Sequence, residues 1–200
     1  WIGRLVPVKN IPLLVDAMET TIQQSAAIEF HIAGDGEDNE LIRRAAQRLG
    51  DRLVWHGWVQ DIVPLLSTCD VLLQTSRNEG TPVALIQGMA AARPFVSTAV
   101  GGVVDMVAGP ELRRGPGARW FANGVLVEAD PATISRVLLE LARERSKVVA
   151  MGLRAREFAA ARYRAEALLQ RMGSLYKELV HRKLPAHEFN SIGMEQRQWK

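Results

Sequence analysis

A single cysteine, Cys69, leaves no partner for an internal disulfide and too few thiolates for a cysteine metal cage. Histidine is almost as sparse. The four residues, at 31, 56, 181 and 187, lack the paired spacing of a helical zinc site, so no ligated metal is expected. No apolar run approaches the roughly 20 residues that cross a bilayer, and the start lacks the charged-then-apolar order of a signal peptide. These absences lead to the expectation of a soluble, cytoplasmic chain. Excess charge is missing too: 25 Lys and Arg face 22 Asp and Glu, a net +3. The pI of about 9.3 suits an anionic ligand, but the basic residues are scattered among the acids, and nucleic acid is not implied. There is no internal repeat, no low-complexity tract, no Gly-x-Gly-x-x-Gly and no Walker sequence.

What is present is enough for one ordinary domain: 200 residues, 48% apolar. Short β-rich runs, at Trp1–Arg4, Glu29–Ala33, Leu53–His56, Val71–Gln74, Phe95–Thr98 and Gly124–Val127, alternate with stretches of helical spacing. Those are Ile11–Thr20, Asp38–Leu49, Ile62–Thr68 and Pro82–Ala91. Strand, helix, strand repetition predicts a Rossmann-like α/β fold, a parallel sheet with helices on both faces. After Pro131 the pattern changes to three helices, Ala132–Arg143, Lys147–Arg162 and Ala165–Arg182, expected to pack on the sheet edge. Arg113–Arg119 reads as a loop and 183–200 as a polar tail, with 1–182 as the domain. Because the chain opens on Trp1 and runs directly into a strand, it reads as cut inside a larger protein, its first strand truncated.

Such sheets bind ligands beyond the carboxyl ends of their strands, so the loops there hold the candidate residues. Gly3-Arg4-Leu5-Val6-Pro7-Val8-Lys9-Asn10 puts a guanidinium and an ammonium just past a strand, a pairing that suits a diphosphate. Two solvated surface charges are the alternative. Ala33-Gly34-Asp35-Gly36 lets backbone approach a ligand closely, or else forms a plain turn with Asp35 or Asp38 capping the next helix. Gly57, Trp58 and Val59 offer backbone and an aromatic edge to a nucleobase. His56 reads as a hydrogen-bonded, partly buried residue and His31 as part of a strand. The richest segment is Ser76-Arg77-Asn78-Glu79-Gly80-Thr81-Pro82-Val83, with Gln87 two turns along the helix that follows. Thr81 is expected at the N-cap and Pro82 at the first helical position, leaving the first-turn N–H groups as an anion site. Glu79 can accept hydrogen bonds from sugar hydroxyls and Gln87 can reach a ribose. A capped amphipathic helix with an incidental acid before it is the bland alternative.

Taken in order, Gly3-Arg4-Leu5 with Lys9, Ala33 to Gly36, Gly57-Trp58-Val59, Asn78 to Pro82 and Pro94 to Gly102 resemble the donor domain of family 4 glycosyltransferases of GT-B fold. The resemblance covers roughly residues 1 to 180. It implies one half of a GT-B enzyme that transfers a sugar from a nucleotide diphosphate sugar, retaining anomeric configuration, usually without a metal. It assigns Arg4 and Lys9 to the donor diphosphate, Glu79 to the transferred sugar and position 87 to the ribose. The local reading of the loops adds Gly80, Thr81, Pro82 and Val83 to the diphosphate site and sets Gly34, Gly57, Trp58 and Val59, with Gln87, on the nucleoside side. It also implies a partner, an amino-terminal domain that holds the acceptor and provides any peripheral membrane association, without which this half is not expected to be active.

Three positions depart from the family pattern. Gln87 stands where the family has a second Glu for the ribose hydroxyls, a loss of ~1 kcal/mol of charge-assisted hydrogen bonding. Ala92 stands where Gly is usual, costing roughly 1 kcal/mol if the helix ends there through a left-handed residue. Ala99 stands where Asp is usual. The alternatives left open are a non-catalytic nucleotide-binding or interaction module derived from such a domain, a GT-B sugar-nucleotide epimerase, or a phosphorylase.

Overall fold

The structure is a computed structural model that describes residues 1–25 and 27–183. It divides into two units, Trp1–Ala160 and a second that begins at Ala161. In the first unit the chain alternates as expected. After a 3-10 turn at Pro7–Lys9 come α1 (Ile11–Gln24), β1 (Phe30–Ile32), α2 (Asn39–Leu49), β2 (Leu53–Trp55), α3 (Val63–Thr68), β3 (Leu72–Gln74), α4 (Val83–Ala90) and β4 (Phe95–Thr98). A second 3-10 stretch, Gly101–Met106, leads to β5 (Arg113–Gly115), β6 (Ala118–Phe121), β7 (Gly124–Val127) and α5 (Pro131–Arg143). Next comes α6 (Arg145–Arg162), which runs past the end of this unit, and α7 (Ala165–Lys183) belongs to the second.

β1 and β2 pair in parallel, as do β3 with β4 and β4 with β7. Every residue of β3, β4 and β7 is buried, which is what a parallel sheet covered on both faces requires of its strands. One face is built by α1 and α5, which pack on each other while α5 also meets β4 and β7. Ile11, Leu14, Val96, Val125, Ile134 and Val137 form the core there. α5 therefore lies on a face of the sheet and not on its edge, because its apolar stripe of Ile134, Val137, Leu138 and Leu141 has to be buried. On the opposite face Gly124 has no side chain because the Phe95 ring fills that space; a Cβ would come within 2.8 Å of it.

Two further expectations fail. Trp1–Arg4 is not a strand but a single bridge, Ile2 with Ala33, after which the Leu5 N–H turns to the Asp35 carbonyl and the chain enters its 3-10 turn. The stretch Arg113 to Arg119 is not a loop. It forms the β5–β6 hairpin, antiparallel, with Gly115 opposite Ala118. Pro116 and Gly117 make the turn, Gly117 supplying a φ of 65°, and the Arg113 guanidinium lies over the Trp120 ring at 4.2 Å. That contact lets an arginine-rich strand cover aromatic surface. In the second unit, α7 carries exposed Leu168, Leu169, Leu175 and Tyr176. Of the polar tail 183–200, all but Lys183 lies outside the described residues, as does His187.

Candidate functional site

The carboxyl ends of β3 and β4 carry loops that interlock with the loop before α1. Asn10 adopts a left-handed φ of 54°, tolerable for Asn, and this turns the chain from the 3-10 stretch into α1. The Arg77 N–H donates to the Val8 carbonyl at 2.8 Å, and the Thr75 hydroxyl donates to the Lys9 carbonyl at 3.0 Å. Lys9 is thereby held facing Glu79: its ammonium lies 2.5 Å from Glu79 Oε1, with both side chains mostly buried. The same oxygen accepts from the Ser76 hydroxyl at 2.6 Å and from the Gln74 amide. Thr98, at the end of β4, donates to the Ser76 carbonyl at 2.6 Å.

Two glycines after β4 complete this packing. The Gly102 N–H donates to the Glu79 carbonyl at 3.0 Å. A Cβ at Gly101 would fall 1.9 Å from the Glu79 carbonyl oxygen, and one at Gly102 would fall 1.9 Å from that of Gly80. Neither position has room for a side chain, so the backbone around Glu79 is set by the Gly101-Gly102 pair. Sequence reasoning assigned no role to Gln74, Ser76, Thr98, Gly101 or Gly102. A glycine pair two residues past a buried strand is the signal that reveals the last two.

Beyond Glu79 the chain enters α4. Pro82 is the N-cap and Val83 the first helical residue, with no side-chain cap. Thr81 is therefore not the N-cap and Pro82 is not the first helical residue; the helix starts one position later. The reason is the Pro82 backbone: φ −75° suits either position, but ψ 92° is extended, and its carbonyl accepts from Leu85 and Ile86. The helix N–H groups left for a ligand are then those at Val83 and Ala84, and Gly80, Thr81 and Val83 are exposed around them. Gln87 is exposed farther along α4. The helix closes through Ala92 at φ 58°, the left-handed end expected there.

Arg4 is exposed and takes no part in the Glu79 network. The other loops converge at the ends of β1 and β2. The Gly34 N–H donates to the Gly57 carbonyl at 2.7 Å, and the Trp55 indole donates to the Gly34 carbonyl at 3.0 Å. A Cβ on Gly34 would lie 1.8 Å from the Gly3 carbonyl oxygen, so these three glycines sit together. Trp58 is 72% exposed and Val59 is half-buried. Neither the Asp35 nor the Asp38 side chain caps α2: Asp38 occupies the N-cap position without a side-chain capping bond, and the Asp35 carboxylate accepts from the Asn39 amide and the Gly36 N–H. Those bonds, the Asn39 amide first, hold the Asp35 carboxyl below the usual aspartate value. His31 lies in β1, and its ring contacts His56 at 2.9 Å and Glu29 at 2.6 Å. His56 is exposed, not partly buried as expected; the desolvation that remains, then the neighbouring His31, lowers its pKa. Among the described residues, no group of His, Cys, Asp and Glu is placed to hold a metal, and no helix is long and apolar enough to cross a membrane.

Chemically, the cluster places a carboxylate, an ammonium and unpaired helix N–H groups at one end of a parallel sheet. Such a set can neutralise an anion on one side and accept hydrogen bonds from hydroxyls on the other.

Residues 1–144 match a family model described as Glycosyl transferases group 1. A poly(ribitol-phosphate) alpha-N-acetylglucosaminyltransferase of Staphylococcus aureus (strain COL) is 25% identical over 180 residues, which is 88% of this chain and 34% of that protein. The chain thus spans only part of this relative's length. Among solved structures, the fold is similar to Anabaena Alr3699/HepE in complex with UDP-glucose, at a TM-score of 0.72 and 21% identity over 88% of this chain and 48% of that one. It is also similar to the C-terminal domain of a glycosyl transferase group 1 family protein (LpcC) from Francisella tularensis, at 0.67 and 18% over 82% and 85%.

Proposed function

The chain belongs to the group 1 glycosyl transferases, and from that premise we propose that it is the donor-binding half of a retaining enzyme that transfers a sugar from a nucleotide diphosphate sugar. The observation that carries the reading is the Lys9 ammonium held beside Glu79 at the start of α4. In the reaction the bond from the anomeric carbon to the β-phosphate oxygen breaks, one to an acceptor hydroxyl oxygen forms, and that hydroxyl's proton passes to the departing diphosphate. Negative charge grows on the departing diphosphate. Lys9, with Arg4 swinging in from its exposed position, and the N–H groups of Val83 and Ala84 would stabilise that charge without a metal ion, in a site whose donors are already oriented. Glu79 would accept hydrogen bonds from the sugar, and Gly34, Gly57, Trp58, Val59 and Gln87 would line the nucleoside side.

The relative from Staphylococcus aureus is roughly three times as long as the matched stretch. That supports a second, amino-terminal domain holding the acceptor, and the 200 residues alone are expected to bind donor without transferring it. A thermal-shift titration with UDP, GDP, ADP and their sugars tests the reading. Saturating one of them at about 100 times its dissociation constant should stabilise the fold by about 2.7 kcal/mol. If none stabilises it, or if Lys9→Ala leaves the shift intact, the assignment is wrong.

Gln87 favours one further reading, a nucleotide-binding module without catalysis. Gln87→Glu should tighten nucleotide binding by roughly fivefold if the position faces ribose. An unchanged affinity would remove both that role and the case for a degenerate site.

A further inference from the structure

Glu79 and Lys9 have more partners than the donor reading uses. One carboxylate oxygen collects Lys9 at 2.5 Å, the Ser76 hydroxyl at 2.6 Å and the Gln74 amide. The latter two come from side chains 1% and 4% exposed, at the end of β3, and the Gln74 amide also reaches the Ser76 hydroxyl at 3.3 Å. Their backbone is anchored in turn, through Thr98 on the Ser76 carbonyl. On the other side, the Lys9 carbonyl accepts from Thr75, so the ammonium swings from a fixed base.

Resting on the donor reading above, we propose that Glu79 is the internal anion that holds Lys9 before substrate arrives, and that Gln74 and Ser76 are positioning residues that keep Glu79 in place when the donor diphosphate takes Lys9 away. An ammonium can engage an incoming diphosphate fully only by giving up much of its hold on the carboxylate. A mostly buried carboxylate stripped of the Lys9 ammonium would be strongly penalised, unless other donors remain on it. Two neutral donors on the same oxygen meet that requirement. They hold the carboxylate without carrying charge, so they do not compete for the diphosphate. The exchange links the two functions of the site: donor binding releases Glu79 from Lys9, leaving its second oxygen toward the sugar, at the moment when a sugar is present.

The test is the affinity of the 200-residue chain for UDP, GDP and ADP by calorimetry, without any sugar attached. Glu79→Gln and Glu79→Ala both remove the competing charge. Each should tighten binding of the nucleotide that the native chain accepts by roughly threefold to tenfold, the worth of a modest ion pair. Ser76→Ala and Gln74→Leu leave Glu79 more dependent on Lys9, so each should weaken binding. In the Glu79→Gln background those two changes should have no effect, whereas a merely structural role would weaken binding in both backgrounds. Unchanged or weaker binding in both Glu79 variants overturns the exchange, as does a Ser76→Ala effect that survives Glu79→Gln. Native protein that binds no nucleoside diphosphate, or that binds equally well after Lys9→Ala, overturns the donor reading and this inference with it. Binding that needs Lys9 but ignores Glu79 overturns this inference alone.

Discussion

Around β3 and β4, the loops at 75–81 and 98–103 are tied by side chains: Lys9, Gln74, Ser76 and Thr98 all bond into the Glu79 segment, and Gly101 and Gly102 close against its carbonyls. Around β1 and β2, the loops at 33–37 and 56–59 meet mainly through backbone, Gly34 to Gly57 at 2.7 Å, while Trp58 stands 72% exposed. In the first region the charges are oriented by bonds from neighbouring side chains. The second offers backbone groups and a free aromatic face, which a ligand would have to order. On the proposed donor reading the difference would separate roles: the side-chain-tied loops would meet the diphosphate and sugar, where bonds change, and the backbone-paired loops would supply nucleoside binding alone.

Two glycine substitutions should show the largest contrast. Gly101→Val puts a side chain on the Glu79 carbonyl at a φ of 46°, and should lower stability by about 3 kcal/mol in urea denaturation. Gly57 has φ 65° but nothing within 4 Å of its Cβ position, so Gly57→Ala should cost only about 1 kcal/mol. Equal losses would mean that the two regions are not differently built. Ala92 ends α4, which carries candidate residues for both regions. With its φ at 58°, Ala92→Gly should raise stability by up to about 1 kcal/mol, read in the same denaturation experiment.

Trp58→Ala should sharpen the contrast from the other side. Because the ring is exposed, stability should change by less than about 0.5 kcal/mol. Nucleoside diphosphate affinity should fall by roughly threefold or more if the ring meets the base. A lower melting temperature with unchanged affinity would make Trp58 a structural residue. The smallest effect concerns pH. The Asp35 pKa is lowered in the fold, so its contribution to stability is present above the usual aspartate range and is lost as pH falls through the folded value. Asp35→Asn should flatten the decline of melting temperature in acid, and an unaltered profile would show that the bonds from Asn39 and Gly36 stabilise nothing.

The same contrast decides what was legible in the sequence. Period and turn residues reveal α1, α2, β3, β4 and β7, because their apolar residues repeat at helical spacing or run as short buried strands. The β5–β6 hairpin escapes that reading, since Arg113, Arg114 and Arg119 break the apolar pattern; in the strand Arg113 is held by the Trp120 ring and Glu140, and Arg114 by Glu111. Charged and glycine-bearing loops pointed to Lys9, Glu79, Gly34 and Gly57, which the fold brings to the ends of its parallel strands. What the sequence could not reveal is pairing across long separations: Lys9 and Glu79 are 70 residues apart, and Thr98 reaches Ser76 across 22. The start of α4 was misplaced by one residue because Pro82 fits two adjacent helix positions, and only its ψ separates them.

A crystal structure of the chain with its preferred nucleoside diphosphate bound is the most direct test of the central claim. The diphosphate is expected between Lys9 and the N–H groups of Val83 and Ala84, with the Lys9 ammonium moved off Glu79 and Ser76 still bonded to it. A nucleotide bound away from Lys9 and α4, or one that leaves no density at any concentration, would contradict the account.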